Sequence, residues 1–288
     1  LGIVTTYTYY NDANNRMESK TLASADASGN VYYHFLNEAL NRNDIIKRSV
    51  VDSDGAIAYK LTYSVANPTK VITKVCYSNL TMTTVIVTYT NYDNVNNRLE
   101  SKTLATADAS GNIYYHYLDE AASRMDKSKR SVADSDGCLS YTYTYSTTVT
   151  TRIIGKVGYS DNAWTTVKVT YTSYDNADNR MESKTLAAAD ANGNVYYHYL
   201  DEAASRNDII KRSVVDSDGA IAYKFTFSAT TPARTITKTC YSDLAMTLVV
   251  ATYNYADDAT NRLISKVVTE LGIVTTYTYY NDANNRME

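Results

Sequence analysis

Any chemistry in this chain has to come from a short roster of side chains. The 288 residues include three histidines and three cysteines. His34, His116 and His198 each stand in a Tyr-Tyr-His triplet, 82 residues apart. Three imidazoles can hold a metal if the fold stacks them. Each, however, copies one position and has no matching Cys, Asp or Glu cluster beside it, so packed or hydrogen-bonded sheet residues are expected. Asp-Ser-Asp-Gly recurs at 52–55, 134–137 and 216–219. Paired carboxylates near a glycine suggest calcium, but the further ligands and distal Glu of a calcium loop are missing. Hairpin turns are the expectation. Serines and threonines are abundant, with no base placed to activate one. Asn79-Leu80-Thr81 is a lone glycosylation sequon. The reading assigns no catalytic, cofactor-binding or metal-ligating residue, and expects neither an enzyme nor a cofactor.

The cysteines follow the same period. Cys76 and Cys240 occupy equivalent positions, with Gly158 between them, and Cys138 has Ala56 and Ala220 as counterparts. An odd count without pairing or metal spacing points to small buried thiols.

That period is the dominant feature of the sequence. A strand, a polar turn and a returning strand recur at Tyr7 to Ser19, Tyr89 to Ser101, Tyr171 to Ser183 and Tyr253 to Ser265. The arginines of these copies, Arg16, Arg98, Arg180 and Arg262, are 82 residues apart, and Arg286 follows after 24. We therefore read residues 1–288 as one continuous array. It has long repeats at 16–97, 98–179 and 180–261, and a short repeat at 262–285. Residues 1–18 recur letter for letter at 271–288, a 270-residue superperiod. The expectation is a window on a longer repetitive molecule.

Composition sets the fold class. There are 29 Tyr against 3 Phe, 1 Trp and 2 Pro. Tyrosine joins a large apolar ring to a hydroxyl that seeks water or a partner, which suits sheet faces near solvent, as in a thin wall. Threonine, also plentiful, is β-branched and favours strands. The chain reads as all-β. A net charge of −3 gives no reason to expect nucleic acid, and no apolar run approaches the length of a membrane span. The pairs Lys47-Arg48, Lys129-Arg130 and Lys211-Arg212 mark one repeated position, a solvated face or else a stripe for acidic polymers.

Basic landmarks at Arg16, Arg42, Lys70 and Arg98 divide each long repeat into units of about 27 residues, two strands and two turns apiece. Gly29, Gly111 and Gly193 fall in one repeated turn, and Gly55, Gly137 and Gly219 in another. Alternation is plain at 56–64, where Tyr59, Leu61 and Tyr63 oppose Lys60, Thr62 and Ser64. Single hairpins are marginal in water, so neighbours must pair side by side. The expected fold is a continuous, coiled antiparallel sheet of tandem hairpins, a spiral or tubular shell or a solenoid.

At 92–99 (YDNVNNRL) and 174–181 (YDNADNRM) the chain resembles the YD repeat of the RHS family, which includes bacterial RHS and toxin-complex shells and the teneurins. The matching residues are Tyr92, Asp93, Asn97, Arg98 and Leu99, with Asn96 at the family's glycine position, and Tyr174, Asp175, Asn179 and Arg180. The resemblance implies a spiralling β-sheet wall around a hollow interior. On physical grounds Asp93 suits an Asx turn, and Arg98 an ion pair with it or a place over a Tyr ring. These are structural turn residues, like Arg16, Arg262 and the six glycines.

The functional expectation is an extracellular or cell-surface structural filament or tube. Its partner would be the same array continued head to tail, with glycans as a further candidate. The alternatives are the wall of an RHS-type toxin container and a carbohydrate-binding or adhesive surface. Replacing Gly55, Gly137 or Gly219 with Val should destabilise its hairpin by on the order of 1 kcal/mol or more, because a β-branched residue resists positive φ. Faster hydrogen exchange in the flanking strands is the expected result; unchanged exchange would contradict the register.

Overall fold

The structure is a computed structural model. It describes residues 4–10, 16–93, 98–119, 122–174, 181–201, 204, 206–258, 260–270, 272–279 and 287, without the side chains of 91–93, 98, 99, 173 and 174. Contacts divide the chain into two units, Leu1–Ala133 and Asp134–Glu288.

The first unit holds β1 (Thr6–Tyr9), β2 (Met17–Thr21), β3 (Asn30–Asn37), β4 (Arg42–Arg48), β5 (Ala58–Tyr63), β6 (Val71–Tyr77), β7 (Val85–Asp93), β8 (Arg98–Leu104), β9 (Asn112–Asp119) and β10 (Arg124–Arg130). Every strand pairs antiparallel with the next. The second unit holds β11 (Ser140–Tyr145), β12 (Ile153–Tyr159), β13 (Val167–Tyr174), β14 (Met181–Leu186), β15 (Asn194–Asp201), β16 (Arg206–Arg212), β17 (Ala222–Phe227), β18 (Thr235–Tyr241), β19 (Val249–Tyr255), β20 (Leu263–Glu270) and β21 (Ile273–Thr278). It is the same kind of meander. The protein is all-β, built of tandem antiparallel hairpins. Among the described residues there is no helix, hence none long and apolar enough to cross a membrane.

Turn chemistry sets where the strands stop. In the Asp-Ser-Asp-Gly turn, the Gly55 amide donates to the Asp52 carbonyl (3.0 Å) and the Asp52 amide to the Ala56 carbonyl (2.9 Å). This geometry places Gly55 at φ +83°, with Gly137 at +74° and Gly219 at +76°. Glycine meets this demand without a Cβ clash. The strand before the turn is Arg42–Arg48. Beyond it Val50 and Val51 are mostly exposed, because the Ser49 amide bonds back to the Gly29 carbonyl.

The sheets bury little, and what they bury repeats. Three small clusters lie near the Asp-Ser-Asp-Gly turns. The first contains Ala56, Tyr59, Cys76, Val87 and Tyr89; the second, Cys138, Tyr141, Val169, Tyr171 and Met181; the third, Ala220, Tyr223, Cys240 and Ala251. All three thiols are free and buried. Each cluster holds one cysteine thiol, at either of two facing positions. A Cβ on Gly158 would stand 2.5 Å from Cys138 Sγ, 2.8 Å from the Tyr141 ring and 2.9 Å from Val169. The middle cluster has therefore moved its sulfur to the turn and emptied the strand position opposite.

Gly158→Cys alone should overpack the second cluster and cost about 1–3 kcal/mol. Combined with Cys138→Ala, which recreates the arrangement of the other two clusters, it should regain most of that loss. Denaturant unfolding of the two single variants and the double variant measures the coupling; strictly additive losses would contradict the shared-volume account.

Candidate functional site

The conspicuous cluster is a set of hydrogen-bonded locks built on six copies of Asp-x-x-Gly-x-x-x-Tyr: Asp26 with Tyr33, Asp52 with Tyr59, Asp108 with Tyr115, Asp134 with Tyr141, Asp190 with Tyr197, and Asp216 with Tyr223. One Asp52 carboxylate oxygen accepts the amides of Asp54 (2.9 Å) and Ala56 (2.8 Å). The other accepts the Tyr59 hydroxyl at 2.6 Å, and Arg48 donates to that hydroxyl at 3.0 Å. Asp216, Tyr223 and Arg212 repeat this at 2.7 and 3.1 Å. The remaining four tyrosine–aspartate pairs bond in the same way.

The second aspartate of each Asp-Ser-Asp-Gly turn reaches further along the chain. Asp54 accepts the Tyr89 hydroxyl at 2.5 Å and Lys102 Nζ at 2.7 Å, which ties the β4–β5 turn to β7 and β8. Asp136 takes Tyr171 and Lys184, the lysine at 2.5 Å. Asp218 takes Tyr253 and Lys266, the lysine at 2.8 Å. A further lysine packs against both rings of each lock. Lys74 Nζ lies 4.3 Å from the Tyr59 centroid and 5.4 Å from that of Tyr89. Lys156 and Lys238 repeat the arrangement on Tyr141 and Tyr171 and on Tyr223 and Tyr253.

The electrostatics agree with structural use. Burial pushes Tyr59, Tyr115 and Tyr223 up to about 12, reinforced by the carboxylate each hydroxyl faces. Burial and Asp218 do the same to Tyr253. Burial works against the ionised forms of Asp52 and Asp216, but the tyrosine and amide donors overcome it and hold both below the usual carboxylate value. Asp136 and Asp218 are also lowered against burial, by their lysine and tyrosine donors. Both oxygens of each of these carboxylates accept a donor, and the tyrosines resist ionisation. The cluster is suited to holding strands together.

The histidines have partners that the sequence reading passed over. His34 Nδ1 lies 2.5 Å from Asp44, His116 from Asp126 and His198 from Asp208. The ten-residue His-to-Asp spacing, repeated three times, was the available signal. No group of three or more His, Cys, Asp or Glu side chains able to hold a metal occurs among the described residues. A groove of about 600 Å³ in the second unit is lined partly by Asp136, Lys184, Asp190, Tyr197 and Tyr199. Both of its carboxylates are engaged, Asp136 by Tyr171 and Lys184, and Asp190 by Tyr197.

The YD-like turns are described only in part. Asn97, Asp175, Asn179 and Arg180 lie outside the described residues, as do the side chains of Tyr92, Asp93, Arg98 and Tyr174. The backbone pairs Tyr92 with Leu99 and Asp93 with Arg98. Equivalent positions show the local chemistry. Arg16 lies over the Tyr10 ring at 5.5 Å, and Tyr10 donates to the Phe35 carbonyl at 2.8 Å. Asp257, equivalent to Asp93, accepts Arg234 at 3.2 Å and Ser228 at 2.8 Å from the neighbouring hairpin. Arg262 closes its turn through its carbonyl, which accepts the Ala256 amide at 2.8 Å. The left-handed residue there is Asn261, at φ +47°, immediately before the arginine. Gly29, Gly111 and Gly193 have φ of +79°, +81° and +80°.

No family model matches the chain, and no curated protein does. Among solved structures it is similar to a chain of the Photorhabdus luminescens Tc holotoxin pore carrying a TccC3 mutation, at 10% identity and a TM-score of 0.27. That match covers 98% of this chain and 18% of the other. It is also similar to a chain in the crystal structure of TcdB2-TccC3, at 9% identity and a TM-score of 0.22, over 96% of this chain and 17% of the other. The chain thus spans less than a fifth of either, and likenesses this loose carry no structural or functional conclusion.

Tyrosine pKa values raised by burial stabilise the fold below pH 10, and that stability is lost as pH rises towards 12. The depressed aspartates stabilise it above their ordinary value of 3.8, and lose that effect as pH falls through their lower folded values. Tyr59→Phe with Tyr223→Phe should therefore flatten the alkaline limb of a stability–pH curve and also reduce the acid limb, because the same hydroxyls help to hold Asp52 and Asp216 low. An unchanged alkaline limb would contradict the assignment.

Proposed function

We propose that the chain is a structural wall element, part of an extracellular or cell-surface filament or tube, and not an enzyme. The observation that carries this reading is the lateral locking. Asp54, Asp136 and Asp218 each bind a tyrosine 35 residues and a lysine 48 residues further on. Hairpins that would be marginal alone are thereby tied to their neighbours at regular intervals, as a load-carrying sheet requires. The polar groups that chemistry would need are engaged in these locks. The YD-like residues at 92–99 and 174–181 support an RHS-type wall, and the identity of 1–18 with 271–288 supports head-to-tail continuation.

Electron microscopy of the native material tests the reading. Extended, uniform filaments or tubes are expected. Compact particles a few nanometres across would reject it.

A further inference from the structure

The groove of the second unit differs from the matching residues one repeat earlier by a single charge. All but two of the residues that line it have an identical residue 82 positions before them. Ala188 stands where the first repeat has Thr106, and Lys168 where it has Ile86. The third repeat has Val250 at the latter position. Ile86 packs against the first core cluster and Val250 against the third. An aliphatic side chain there adds cover to a thin core, whereas lysine brings a charge to the same place.

Lys168 is exposed, and its stem reaches over the turn glycine. Its Cε and Nζ stand 3.1 and 3.2 Å from the point that a Cβ on Gly137 would occupy. Among the described residues no hydrogen bond or ion pair engages the ammonium. The carboxylates of the groove have other partners, Asp136 with Tyr171 and Lys184, and Asp190 with Tyr197. The rest of the lining is two-sided. Tyr197 and Tyr199 stack with their centroids 6.3 Å apart and their planes at 22°, and Leu186 adds an aliphatic wall. Ser160 and Thr166 supply hydroxyls. A volume of about 600 Å³ falls within the roughly 300–1,000 Å³ of small-ligand clefts.

We propose that this groove binds a uronic acid residue of an acidic polysaccharide. A uronate has an apolar ring face, a rim of hydroxyls and one carboxylate. The tyrosine rings and Leu186 give the ring face a surface to cover. The Ser160 and Thr166 hydroxyls can donate to the sugar hydroxyls or accept from them. Lys168 supplies a charge-assisted donor for the carboxylate. A bare phosphate would use the lysine and leave the apolar wall uncovered. A neutral sugar would cover the wall and leave the ammonium without a partner. The first repeat, with Ile86 in place of Lys168, lacks the charge and so the acid specificity. The site does not depend on the filament reading, since it lies within one unit and needs no second copy of the chain.

Calorimetric titration of the full chain with trigalacturonate tests it, with the methyl-esterified trisaccharide and inorganic phosphate as comparison probes. Trigalacturonate should bind at one site, about tenfold more tightly than either comparison probe, the step that one charge-assisted hydrogen bond supplies. Lys168→Ile restores the residue of the first repeat, so it should not lower the unfolding temperature. It should weaken trigalacturonate about tenfold and leave the ester unchanged. Lys60→Ile removes an exposed lysine outside the groove and should leave binding as it was. Absence of trigalacturonate binding, or equal losses from Lys168→Ile and Lys60→Ile, overturns the proposal. Ester binding as tight as that of the acid overturns the role of Lys168. Phosphate binding as tight as that of the acid reduces the groove to a general anion site and overturns the sugar assignment.

Discussion

The fold depends on one interaction, the bond from a tyrosine hydroxyl to a turn aspartate. A meander of hairpins has too little interior to be held by burial alone, and the clusters here are small. Tyrosine lets one side chain serve both sides of the problem. Its ring covers the thin core, and its hydroxyl reaches a carboxylate that the turn has already fixed through backbone amides. Such a bond to an ionised acceptor is worth about 1.5–3 kcal/mol, and an unmade one in a partly buried site costs a similar amount. The aspartate is useful because the turn, shaped by a glycine at positive φ, orients it before any long-range contact forms.

The lysines add a second layer. Lys102 and Asp54 are 22% and 14% exposed, so the pair is only partly removed from water, and solvent screens it accordingly. Its role is geometric as much as energetic. An ammonium beside a tyrosine ring and bonded to a turn carboxylate fixes the register of β8 against a turn two hairpins earlier. Register matters because a one-residue slip would send every tyrosine to the opposite face. The interchange of Cys76, Gly158 and Cys240 with Ala56, Cys138 and Ala220 shows the same constraint in the core. Each cluster holds one cysteine thiol, at the turn or on the strand opposite.

Much of this architecture was readable from the letters. The 82-residue period, the hairpin spacing and the alternation at 56–64 describe local structure, which period-2 patterning and turn residues specify directly. The near locks are legible as well, since Asp-x-x-Gly-x-x-x-Tyr occurs six times, with the Asp and Tyr flanking each turn glycine. The far locks were not legible. Asp54 meets Tyr89 across two intervening strands and Lys102 across three, all in a particular register, and no local pattern encodes that. The His–Asp pairs lie between these cases, on adjacent strands with bulges that shift the pairing between β3 and β4. For the YD-like turn, the sequence suggested an aspartate serving its own hairpin. At the described copy, Asp257 instead bonds Arg234 and Ser228 of the neighbouring hairpin, so even this residue works laterally.

The central claim is that the turn aspartates weld each hairpin to later ones. A double-mutant cycle tests it most directly, with Asp54→Asn, Lys102→Met and the pair, read by amide hydrogen exchange in β5, β7 and β8. The account predicts that each single change loosens all three strands together, and that the two effects are coupled by on the order of 1 kcal/mol. Loosening confined to the strand carrying each change, with additive effects, would contradict it.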